Sequence, residues 1–167
     1  MSQHHIPYHV ATEIGFGVFV FQIDPRQKFL SANPTFKKML GIGNQAELES
    51  FTLKKLFINE DLVEEFLGEL DEEGKIEFFD FPHPNYPAVN KWLTVSAKID
   101  TNDQQTTITG VVQDITNYKE AQHKLNEEIT ILQGFLDSMP DAVYFKDRKN
   151  RLTKVNKFYA DGFGMSE

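Results

Sequence analysis

Residues 141 to 165 repeat residues 18 to 42 at an offset of 123. The later stretch reads DAVYFKDRKNRLTKVNKFYADGFGM and the earlier one VFVFQIDPRQKFLSANPTFKKMLGI. Val20/Val143, Asp24/Asp147, Asn33/Asn156 and Gly41/Gly164 are identical pairs. Phe21/Tyr144, Lys28/Arg151, Phe29/Leu152, Phe36/Tyr159, Leu40/Phe163 and Ile42/Met165 are alike in kind. This spacing exceeds the length of a solenoid repeat, so it predicts tandem domains. The second copy stops where its first helix should end. The expectation is therefore an N-terminal segment or short helix over 1–14 and a complete module over 15–116. A connector helix over 117–137 and the truncated opening of a second module over 138–167 follow.

The 167 residues suit one domain of ordinary size with an extension. Eleven of the fifteen Phe precede residue 116, enough to fill a core. Cys is absent, which excludes disulfides, thiolate metal sites, a Cys nucleophile and a Cys-linked chromophore. A reducing cytoplasm fits that usage. Net charge is −8, all of it in residues 1–116, which hold 9 Lys/Arg and 17 Asp/Glu. Ten acids lie between Glu60 and Asp80 with Lys75 as the only base, a solvated surface that repels nucleic-acid phosphate. No signal peptide and no apolar run long enough to span a membrane occurs in this segment.

Gly17 to Ile23 reads as a strand, Asp24-Pro25-Arg26-Gln27 as a turn, and Lys28 to Ala32 as its partner strand. Asn33-Pro34 then opens a helix: Asn caps free amides and Pro needs no donor at the first position. Asn156 occupies the same place in the second copy. Residues 46–57, with Leu48, Phe51, Leu53, Leu56 and Phe57, predict one or two short helices. Asn59-Glu60-Asp61 caps a longer one to about Asp71, and Gly74 breaks it. Lys75 to Phe81, Lys91 to Asp100 and Thr106 to Ile115 read as strands. Pro82 to Pro87 is predicted to be a loop, because three Pro do not fit a ladder, and Thr101 to Gln104 a hairpin turn. The order gives an α+β fold, a five-stranded antiparallel sheet with short helices on one face, followed by a C-terminal connector helix.

Asp114-Ile115-Thr116 closes the last strand, and a polar helix begins at once with Thr116 placed as its cap. Tyr118, Ala121, Leu125, Ile129, Leu132 and Leu136 form an apolar stripe along it. The stripe needs a partner: the helix's own domain, or the same helix of a second subunit in a short coiled coil.

This succession resembles a PAS domain over about residues 12–118. The stretch Leu136 to Val143, with Lys146-Asp147 and Val155-Asn156, resembles the start of another. The resemblance implies a sensory and dimerisation module of bacterial or archaeal signal transduction, placed upstream of a histidine kinase first, or of a diguanylate cyclase or transcription regulator. It implies a homodimer through the N-terminal segment and connector helix. It also implies a downstream signalling domain in the same chain, and a pocket between sheet and helices for a small-molecule ligand. Asp114, Ile115 and Thr116 would relay sheet strain to the outgoing helix. A ligand preferring one of two sheet geometries could then bias two helix arrangements.

Cofactors of this family can be tested on the residues. The photochemical flavin type has an Asn-Cys motif and a Gln two residues before an Asp in the last strand. Here there is no Cys, and Val112 stands at that position. The haem type takes its axial His from the helix before the third strand, and 59–71 contains no His. Non-covalent flavin stays open, with Trp92 compatible; the cofactor is otherwise unknown. His83 reads as a surface loop His, and His4, His5 and His9 as a terminal tail. Candidate pocket residues are Phe19, Phe21, Phe36, Leu40, Phe57, Phe66, Phe78, Leu93, Val95 and Val111, with Ile108 beside the last; the alternative is a solid core of the same side chains. Gln113 or Thr94 would supply a polar group to a ligand. No hydrolase, phosphate-loop, zinc-protease or kinase motif occurs. Asp80, His83 and Ser96 are the one set that an enzyme could converge, and no metal site is read.

Overall fold

A computed structural model describes residues 8–164, apart from 25, 58, 86–88 and 103–104. His4, His5, Pro25, Pro87, Gln104 and Met165, named above, and Tyr86 and Asp103 within the loop and turn given there, lie outside the described residues. The chain divides into two compact units, Met1–Asn117 and Tyr118–Glu167.

The first unit runs α1 (Tyr8–Glu13), β1 (Gly17–Asp24), β2 (Lys28–Ala32), α2 (Pro34–Met39), α3 (Gln45–Glu49), α4 (Leu53–Phe57) and α5 (Glu60–Glu73). Then follow β3 (Lys75–Asn85), β4 (Val89–Asn102) and β5 (Gln105–Asp114). The sheet is antiparallel in the order β2-β1-β5-β4-β3. Pairing of β1 with β5 joins the first hairpin to the last three strands, so β5 ends in the middle of the sheet. The cap residues act as their types demand. Asn33, Asn44 and Asn59 each accept an amide of the helix they open, and Gly74 ends α5 with φ +72°, where a side chain would be strained.

The core is aromatic. Phe19, Phe29, Phe36, Phe57, Phe66 and Phe81 are fully buried. Phe29 sits 4.9–5.6 Å from the rings of Phe19, Phe21, Phe36 and Phe51. Phe57 makes a second cluster with Phe66, Phe79 and Phe81 at 4.6–5.7 Å. Each such ring removes roughly 150–250 Å² from water. Phe19 lies across Gly110 on β5. A Cβ there would come within 2.4 Å of its ring, so the pair depends on the glycine.

Three expectations about the strands are corrected. Pro82 and Pro84 lie within β3 rather than in a loop. β3 is an edge strand, where a residue without an N–H removes nothing the sheet needs. Phe78 is 74% exposed instead of lining a pocket. Its φ is +59°, and the β3–β4 register shifts between Ile76 and Phe79. This bulge turns Phe78 outward and lets Phe79, Phe81 and His83 follow Ile76 onto the core side. Val111 also leaves the candidate list, because Ile108, Gly110 and Val112 are the buried positions of β5. Ile108 and Val111 are three apart and cannot share a face at period two.

The second unit contains α6 (Thr116–Ser138, beginning in the last residues of the first), β6 (Tyr144–Lys146), β7 (Leu152–Val155) and α7 (Lys157–Phe163). Its chemistry at Asn156 repeats that at Asn33. Asn33 Oδ1 accepts from the amides of Val18 and Phe36, and Nδ2 donates to Phe16 O and Thr12 Oγ1. Asn156 Oδ1 accepts from Val143 and Tyr159, and Nδ2 donates to Asp141 O and Leu136 O. Both hairpins shift register at the same step, Val20/Phe21 and Phe145/Lys146. The matched bonds correct the alignment before the turn. Val143 answers to Val18 and Tyr144 to Phe19, an offset of 125, whereas Asn156 answers to Asn33 at 123. The first hairpin is therefore two residues longer, and the pairs Val20/Val143, Phe21/Tyr144 and Asp24/Asp147 are not structural partners.

Candidate functional site

The end of β5 ties strand and helix together through one carboxylate. The Ile115 amide donates to Trp92 O at 2.8 Å, carrying the ladder one residue past the strand. Asp114 Oδ1 accepts the Thr116 hydroxyl at 2.6 Å and the Thr116 amide at 3.0 Å. Asp114 Oδ2 lies 3.0 Å from the Lys91 ammonium. The Thr116 hydroxyl accepts in turn from the Trp92 amide at 3.1 Å. Burial pushes the Asp114 carboxyl up, but the Thr116 hydroxyl, the Thr116 amide and Lys91 outweigh it and hold the group below its ordinary value. It is therefore charged near neutral pH, and its contribution to stability is present above the unfolded value and lost as acid carries it through the folded one.

His83 is not a surface loop residue. It is buried on β3, with Nδ1 2.8 Å from Leu56 O at the end of α4. Burial lowers its pKa, the bond to Leu56 opposes that, and Lys91 lowers it further. Lys91 is its cross-strand neighbour. Sequence reading missed Lys91 altogether. The signal was available in parity, since Lys91 stands two residues before the buried Leu93 and so on the same sheet face.

Of the candidate pocket residues, Phe19, Phe21, Phe36, Phe57, Phe66, Leu93 and Val95 are buried together in one cluster, with Leu40 packed at its margin. A cleft of about 450 Å³ opens beside that cluster, over Phe21, Ile23, Leu53, Val63 and Leu67, with Lys54, Glu60 and Glu64 also lining it. Only Phe21 of the candidates reaches it. Gln113 is exposed. Thr94 is buried and its hydroxyl has no hydrogen-bond partner, but it lies on the sheet face opposite Leu93 and Val95. Neither serves the interior. Asp80 and Ser96 likewise alternate with core residues and face away from it, so His83 does not converge with them. Among the described residues, no group of three or more His, Asp or Glu is placed to hold a metal. No described helix is long and apolar enough to cross a membrane.

A family model described as PAS domain matches residues 9–66. The first unit is a PAS domain. The fold of this PAS domain recurs in solved structures of low sequence identity. An RNA-binding light-oxygen-voltage receptor aligns with a TM-score of 0.58 and 15% identity, covering 78% of this chain and 40% of that one. The chain thus spans well under half of that receptor. A sensory box histidine kinase/response regulator from Burkholderia thailandensis gives 0.56 and 15%, covering 75% and 95%. A PAS domain from a two-component sensor histidine kinase gives 0.51 and 11%, covering 64% and 91%. No curated protein sequence matches. In this PAS domain, then, Asp114, Thr116 and Lys91 stand where the central strand hands the chain to α6.

Proposed function

We propose that this chain is a non-catalytic sensory and dimerisation part of a cytoplasmic signal-transduction protein, with a histidine kinase as its output. The observation that carries this is the Asp114 carboxylate, which bonds β4 and the first residue of α6 at once. A strand joined to a helix without slack passes a change of sheet geometry to the helix. The two histidine-kinase likenesses support the choice of output by fold alone. Asp114→Ala in the parent protein is expected to abolish the response to input while costing the fold only about 1–3 kcal/mol. A response of normal size from the variant would sink the relay.

Dimerisation falls to α6. No residue of it is buried, and Tyr118, Leu125, Ile129 and Leu132 are exposed. Tyr118, Leu125 and Leu132 recur every seven residues, and Ile129 and Leu136 do so between them, so one heptad frame puts Ile129 and Leu136 at a and the other three at d, an apolar seam suited to a helix pair. Ile129→Asp is expected to convert a dimer to a monomer in sedimentation at micromolar concentration. Equal masses for the two proteins would remove the coiled coil. The Asn156 bonds, the shared hairpin bulge and the α7 cap support the second unit as the opening of another PAS domain.

A second reading is a partner-binding scaffold without a small-molecule ligand. It is favoured by the two Phe clusters that occupy the space between sheet and helices. Native against denatured mass separates the two, since bound ligand adds mass only to the former.

A further inference from the structure

His83, Lys91 and Asp114 share one face at one end of the sheet. His83 pairs with Lys91, and Leu93, two residues on, pairs with Asp114. Three sets of polar contacts lie along that end. His83 Nδ1 meets Leu56 O at 2.8 Å, Lys91 Nζ meets Asp114 Oδ2 at 3.0 Å, and Asp114 Oδ1 holds Thr116. A carbonyl only accepts, so Nδ1 carries the hydrogen, and the neutral ring leaves Nε2 bare. We propose that His83 is a proton-binding site, and that Asp114 and Thr116 register its occupancy through Lys91.

The physical reason is crowding of like charge. Protonation at Nε2 creates a cation in a residue only 6% exposed, opposite an ammonium across the strand pair. Lys91 then moves from the ring, or the Asp114 carboxylate is drawn between two cations. Either change alters the pair of bonds that starts α6. Other charges on the elements packed here are exposed to solvent. Lys54 and Lys55 of α4 are exposed, with Lys54 paired to Glu60. Glu64, Glu65 and Glu69 of α5 are exposed, and Glu77 and Asp80 of β3 are exposed too. Among the described residues, the charge that acts on the ring is Lys91.

The sign follows from the direction of the shift. Burial and Lys91 hold the folded ring below the ordinary imidazole value of about 6.5. Stability is therefore full above that value. On acidification the unfolded chain takes up the proton first, and stability falls until the lower folded value is passed.

The inference rests on the Asp114 geometry and not on any output, so a normal signalling response in Asp114→Ala would leave it standing. The test is an NMR pH titration of the whole chain, following the His83 ring and the Thr116 amide. The expected result is a common midpoint below about 6.5. His83→Gln keeps a donor for Leu56 O and cannot charge, so it should flatten that step at Thr116. Lys91→Met, which needs no change at the ring, should raise the His83 midpoint. A Thr116 curve that does not follow the ring, a step that persists in His83→Gln, or a His83 midpoint unmoved by Lys91→Met would each overturn the proposal.

Discussion

Phe29→Ala is expected to lower the unfolding free energy by about 3–5 kcal/mol, measured by urea titration of the whole chain. Phe29 is fully buried and meets four other Phe rings, so its removal empties the junction of β1, β2, α2 and the segment before α4. The cavity adds to the lost transfer energy because neighbours held by one another relax little. A domain of this size holds only about 5–15 kcal/mol in total. The variant should therefore be largely unfolded at temperatures where the parent is intact. A loss below about 1 kcal/mol would mean that the aromatic cluster is loosely packed.

Asn33→Ala should cost about 2–4 kcal/mol, from a lost cap and a buried amide left without an acceptor. Asn33 is 1% exposed and its side chain makes four hydrogen bonds, to Thr12 of α1, to Phe16 between α1 and β1, to Val18 of β1 and to Phe36 of α2. Asn33→Asp keeps the acceptor for Val18 and Phe36 but loses both donors, so it should fall between the parent and the alanine variant. Asn156→Ala breaks the same set in the other unit and should melt that hairpin alone. Amide exchange read unit by unit checks this. If Asn33→Ala lost no more than an exposed substitution, the four bonds would be geometric accidents.

The elements were legible where local chemistry specifies them. Asn33, Asn59 and Gly74 mark helix ends because a side-chain acceptor or a positive φ is needed at those points. Alternation along β4 puts Leu93, Val95 and Ala97 in the core. What was not legible depends on pairing. Whether a Pro can lie in a strand depends on that strand being at the edge, and β3 becomes an edge only when β1 pairs with β5. The bulge at Phe78 reverses the parity of everything after it, which hides both the exposure of Phe78 and the burial of His83. Val111 failed through strand phase, which one residue decides. At the junction, Asp114 and Thr116 were visible as a motif, whereas Lys91 is brought to them only by the β4–β5 register.

Amide hydrogen exchange over 116–120, compared between the parent chain and Asp114→Ala, bears on the junction itself. With the Asp114 carboxylate fixing the start of α6, the variant should exchange at least about tenfold faster there, a loss of about 1.4 kcal/mol, while the amides of β1 and β4 stay protected. Unchanged protection at the first turn of α6 would mean that the helix starts without the strand, and the relay would have no mechanical basis.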